Sequence, residues 1–131
     1  MIYTSYYSNK MLKIAAGKFR LIGISRGIPE WFTGGVFRSL APSWTMIRMR
    51  GTQNYISLYR SQVLAKLNPH EVMSILDNSI LLCWEKAGRF CHRRLVAEWL
   101  EQATAIEVPE FPCQPLELAQ LTLHRACLMR Q

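Results

Sequence analysis

A chain of 131 residues, half of them apolar and 19% charged, suffices for one packed domain and excludes a disordered chain. No run nears the ~18 uninterrupted apolar residues of a membrane span. The first residues lack a basic stretch leading into an apolar run, so neither a membrane span nor a signal peptide is expected.

The net charge of +7 is unevenly spread. Residues 1–60 hold nine Lys or Arg against Glu30 alone, whereas residues 61–131 hold seven bases against eight acids. A one-sided positive field favours phosphate-bearing partners, either nucleotides or nucleic acid. The same bias also serves solubility alone, and a protein partner stays open. The four cysteines, Cys83, Cys91, Cys113 and Cys127, are an even count that allows two disulfides, but without an export signal reduced thiols of a cytoplasmic protein are the better reading.

Ile2 to Tyr7 is rich in β-branched and aromatic residues and reads as a first strand. Ser8 and Asn9 suit a helix start, and Met11, Leu12, Ile14 and Ala15 follow at helical spacing up to Gly17. Phe19 to Ile24 is a near-continuous apolar run, the pattern of a strand covered on both faces. Residues 26–45, with Gly27, Pro29, Gly34, Gly35 and Pro42, read as one long loop carrying Trp31, Phe32, Phe37 and Trp44. Thr52 to Leu67 has helical periodicity. Asn68-Pro69-His70-Glu71 is a helix start, and Asn78 ends that helix. Ser79 to Trp84 is the third strand, and Arg89 to Ala103 an amphipathic helix. Ile106 to Val108 suits an edge strand, and Leu116 to Met129 a last helix.

Alternating strands and helices imply a small α/β fold of three layers, a mostly parallel sheet with helices on both faces. The whole chain is one domain, with a core over 1–111 and a helical extension over 112–131. Ligands of such folds bind beyond the carboxyl ends of the strands. That rule gathers Tyr6, Tyr7 and Ser8, then Ser25 and Arg26, then Cys83 to Arg93 at one mouth.

The strand-to-helix junction Cys83 to Arg94 carries the densest chemistry. A helix start attracts anions and favours thiolates, which makes Cys91 a candidate nucleophile. Cys83 points into the mouth or into the core, and Glu85 is placed as a general acid or base. His92 joins this catalytic set. Arg26 and Arg93, with Ser25, Tyr7 and Ser8, are candidates for holding phosphate. Each has a plainer reading: a buried cysteine is a small hydrophobe, and exposed arginines are solvated charges. Trp31, Phe32, Tyr55 and Tyr59 suit base stacking or ordinary packing. Cys83, Cys91 and His92 number three potential metal ligands, but adjacent residues at a helix start rarely aim at one ion, and no C-x-x-C pair is present. Neither a metal nor a cofactor is expected.

Two stretches, Leu81-Leu82-Cys83-Trp84-Glu85-Lys86 and Phe90-Cys91-His92-Arg93-Arg94-Leu95, resemble the Cys-x-Glu and Cys-His-Arg signature of the domain of unknown function 488 family. Tyr3 to Asn9 is similar to that family's opening strand, and Ile22 to Arg26 with Pro29 to its second strand and loop. The resemblance covers about residues 2–111. It implies that Cys83, Glu85, Cys91, His92 and Arg93 form a shared site, and it names no substrate. The expected function is action on, or binding of, a nucleotide or nucleic acid at this junction. The alternative is a non-catalytic module that binds nucleic acid or protein.

Overall fold

A computed structural model describes the backbone of residues 1–129 and the side chains of residues 1–123. The Cys127 thiol therefore lies outside the described side chains. Four strands form one parallel sheet: β1 (Ile2–Tyr6), β2 (Arg20–Gly23), β3 (Gly35–Val36) and β4 (Ser79–Cys83), in the spatial order β1-β4-β2-β3. Ser79 is paired with Ile2 on one side and Arg20 on the other, so β4 is flanked along its length. That explains why Ser79-Ile80-Leu81-Leu82-Cys83 lacks alternation, since all five residues are buried.

Among the described residues six helices accompany the sheet: α1 (Leu12–Ala15), α2 (Trp44–Ile47), α3 (Thr52–Gln62), α4 (Pro69–Ile75), α5 (His92–Thr104) and α6 (Pro115–Met129). Side chains alternate across each strand and feed two cores. Ile2, Ile22 and Leu81 pack with Tyr59, Val72, Leu95, Val96 and Leu100, which come from α3, α4 and α5. Tyr3, Ile80 and Leu82 pack on the opposite face with Leu12 and Ala15 of α1, and with Leu118 and Leu121 of α6. Helices thus cover both faces, as the sequence predicts. Truncating a fully enclosed side chain such as Leu81 to Ala costs about 2–5 kcal/mol, because the neighbours only partly refill the space.

The start of α4 follows its sequence closely. Asn68 Oδ1 accepts from the backbone N–H groups of His70 and Glu71, and Pro69 occupies the first turn. Asn78 takes a left-handed backbone, φ 58°, which turns the chain into β4.

Three elements depart most from the expected string. The segment 26–45 is not all loop: it contains β3, a 3-10 turn at Arg38–Leu40 and the start of α2. Two residues are too few to show a strand period, so β3 leaves no signal in the sequence. The α5 helix begins at His92 rather than Arg89, because Gly88 (φ 85°) and the Arg89-to-Lys86 bond close a turn first. Ile106 to Val108 pairs with no strand. The bridge to β1 comes later, between Thr4 and Glu110, where Thr4 N–H donates to Pro109 and Phe111 N–H to Thr4.

Candidate functional site

The carboxyl ends of β2 and β4 open into a cleft of about 420 Å³. Ser25 and Arg26 follow β2, Cys83 ends β4, and Glu85, Phe90, Cys91 and His92 lead into α5. All seven line the cleft. Trp44, Met46 and Ile47 of α2, with Tyr55 of α3, close its other side, and Trp84 joins from the β4–α5 connection.

Four aromatic side chains, Trp44, Tyr55, Trp84 and Phe90, stand among the lining residues. Tyr55 meets Phe90 edge-on at 5.4 Å between ring centroids and lies parallel to Tyr59 at 6.1 Å. Trp44 and Trp84 are more than half exposed, large apolar surfaces turned to solvent at the rim. Trp84 is held in place by its indole N–H, which donates to the Gly27 carbonyl at 2.8 Å. Arg26 brings the positive charge. Its Nε donates to the Pro42 carbonyl at 2.9 Å, which fixes the guanidinium against the cleft wall. Ser43 caps α2 through its side chain and so supports the same wall.

Cys83, Cys91 and His92 are buried and lie at the floor. The two sulfurs are joined as a disulfide. The expectation of reduced thiols meets a bonded pair here, one whose Cα atoms stand 7.4 Å apart, wider than a disulfide usually spans. Cys113 is a free thiol. His92 Nε2 lies 2.7 Å from the Ile24 carbonyl, which only accepts, so Nε2 carries the proton and donates. Nδ1 is thereby left with a bare lone pair, and it faces Cys91 Sγ at 3.7 Å. Burial holds the imidazole neutral, with its pKa lowered to about 4.

The adjacency of Cys91 and His92 was expected to point them apart. Cys91, however, is the extended residue before the helix (φ −152°), and His92 is the first helical one. The change of backbone direction between them turns both ligand atoms toward Cys83. Sγ of Cys83, Sγ of Cys91 and a ring nitrogen of His92 all lie within 4.8 Å of one another.

Arg93 stands elsewhere than a phosphate-binding group would. It is 1% exposed and grips Glu110, with Nε and Nη2 donating to Oε1 at 3.0 and 2.8 Å. Its Nη1 donates to Cys83 Sγ at 3.0 Å and to the Glu85 carbonyl. The Tyr6 ring lies beneath the guanidinium, 5.9 Å from centroid to Cζ. Arg94 is also engaged, donating to Thr4 Oγ1 and the Val108 carbonyl. These are bonds that tie α5 to β1 and to the 108–111 segment.

Tyr7 and Ser8 do not line the cleft. Ser25 gives its single hydroxyl proton to the Gly27 carbonyl, so Tyr7 O–H donates into Ser25 Oγ at 2.6 Å. Tyr7 is buried against Phe32 and Trp84, and that burial raises its pKa. Ser8 is exposed in the turn after β1.

Sequence reasoning passed over Glu110 and Met46, and placed Trp44 only in a loop. Nothing local to Pro109-Glu110-Phe111 signals an ion pair with a residue seventeen positions away. Among the described residues, no helix is long and apolar enough to cross a membrane. Comparisons with protein-family models, with curated proteins and with solved structures find no match.

Proposed function

We propose that the cleft binds a phosphate-bearing ligand with an aromatic base, a nucleotide or the exposed end of a nucleic-acid strand. The observation that carries this reading is the placement of Arg26 beside Trp44, Tyr55 and Trp84 on one open cleft at the carboxyl edge of a parallel sheet. A guanidinium recognises phosphate oxygens by paired N–H donation. Aromatic faces stack bases of any sequence, each worth ~1–3 kcal/mol. The positive first half of the chain adds long-range attraction for such a ligand.

In this reading Arg26 meets the phosphate, Ser25 keeps its bonds to Gly27 and Tyr7 and so shapes the strand end, and Arg93 supports the floor and touches no ligand. Glu85, exposed at the rim, is the group placed to act as a general base toward a bound ligand. We also propose that the Cys-x-Glu and Cys-His-Arg pattern marks a member of the domain of unknown function 488 family, with the same junction as its site.

Tryptophan fluorescence tests the binding. Nucleoside mono-, di- and triphosphates and a short single-stranded oligonucleotide are titrated onto the chain. Saturable quenching is expected, and Trp44→Phe should remove much of it. If none of these ligands changes the emission or binds by calorimetry, the reading is wrong.

A further inference from the structure

We propose that Cys83 and Cys91 in their reduced state, together with Nδ1 of His92, form a binding site for one soft divalent cation of the zinc class, with an open coordination position facing the cleft. Four observations converge on it. The three ligand atoms lie within 4.8 Å of one another, and all three residues are buried. His92 donates its Nε2 proton to the Ile24 carbonyl, which fixes the ring and directs the bare Nδ1 toward the sulfurs. A backbone carbonyl on the far nitrogen is the usual outer support of a metal-bound histidine.

Arg93 donates an N–H to Cys83 Sγ at 3.0 Å, the corresponding outer support for a thiolate ligand. The Cα atoms of Cys83 and Cys91 stand 7.4 Å apart. That spacing exceeds the usual disulfide range of about 4.4–6.8 Å, and it suits two thiolates that share an ion. Two sulfurs and an imidazole nitrogen form a donor set that selects zinc-like ions over magnesium or calcium. All three residues line the cleft, so a fourth ligand, water or substrate, has a path to the ion.

The disulfide and the loaded site are alternative states of one pair. When hydrogen peroxide oxidises the loaded site, the two thiolates lose two electrons and form the S–S bond, and the ion is released. The peroxide takes those electrons and two protons to give two waters. A dithiol reductant reverses the step by becoming a disulfide itself.

The test uses the ion alone, so its outcome is independent of whether the cleft takes a nucleotide. Reduced protein is titrated anaerobically with cobalt(II), then with zinc. The expected result is one equivalent per chain, with thiolate-to-cobalt charge transfer and the visible bands of tetrahedral cobalt, all displaced by zinc. Cys91→Ser and Cys83→Ser, checked for folding by circular dichroism, should each weaken binding beyond the roughly 100-fold that loss of an outer support costs. Peroxide treatment should abolish binding, and reductant should restore it. X-ray absorption of the zinc-loaded wild type needs no variant and should give two sulfur scatterers and one imidazole nitrogen. Substoichiometric binding by the folded reduced chain overturns the site. So does a zinc shell of oxygen and nitrogen alone, or affinity unchanged in both serine variants.

Discussion

Arg93 and Glu110 hold each other in a fork, at 2.8 and 3.0 Å from two guanidinium nitrogens to one carboxylate oxygen, with the cation enclosed and the acid one third exposed. The pair joins α5 to the segment that bridges β1, and its Nη1 supports the end of β4 through Cys83 and Glu85. Removing the cation leaves Glu110 with the Thr4 hydroxyl but no counter-charge, and opens a void beneath the cleft floor. Arg93→Ala should therefore destabilise the fold by about 3 kcal/mol, the lower end for a broken enclosed pair because Glu110 keeps some water. Urea unfolding reads it, and a loss below 0.5 kcal/mol, within the ordinary surface range of about ±0.5, speaks against a structural role.

Gly23 sits at the end of β2 where a side chain has no room. A Cβ there falls 2.5 Å from the Tyr7 hydroxyl and 3.0 Å from Ile28 Cδ1. The Tyr7 hydroxyl cannot retreat freely, since it is bonded to Ser25. Gly23→Ala should cost about 1–3 kcal/mol by overpacking. It should also lower affinity in the cleft, because Ser25 and Arg26 follow directly. Thermal unfolding and ligand titration on the same variant check both.

These cases show what was legible. The apolar runs at Phe19 and Ser79 announce strands because burial on both faces leaves no polar alternation, and Asn68-Pro69 announces a helix because its capping chemistry is local. The gathering of Ser25, Arg26, Cys83 and Cys91 follows from parallel topology alone. Arg93 could not be placed so, since a cation after a helix start reads as an anion site until Glu110 arrives from outside the motif. The Cys83–Cys91–His92 cluster was obscured for a related reason. Adjacency suggests divergence, and only the extended backbone at Cys91 reverses it.

Ala105 ends α5 in a left-handed conformation, φ 58°, with its N–H bonded to the Glu101 carbonyl. A Cβ is unfavourable there by roughly 1 kcal/mol, and glycine carries none. Ala105→Gly should stabilise the chain by about 0.5–1 kcal/mol, read as a higher denaturant midpoint. An unchanged or lower midpoint contradicts this account of the cap.

Tyr59 is fully enclosed, and its hydroxyl donates to the Leu40 carbonyl at 2.6 Å. It thereby pins α3, and with it the Tyr55 wall of the cleft, to the chain before α2. Tyr59→Phe keeps the ring and orphans the carbonyl, at a cost of about 1–2 kcal/mol. Chemical denaturation measures it, and equality with wild type would mean that water satisfies Leu40.

The most direct measurement is calorimetric titration of one nucleotide onto the wild type, Arg26→Ala and Lys10→Ala. Both variants lose one positive charge, but only Arg26 lines the cleft. The expected result is about a tenfold or greater loss of affinity for Arg26→Ala, the loss of a charge-assisted phosphate contact, with Lys10→Ala within about twofold of wild type. Equal losses in the two variants would reduce the attraction to net charge, and the cleft would not be the binding site.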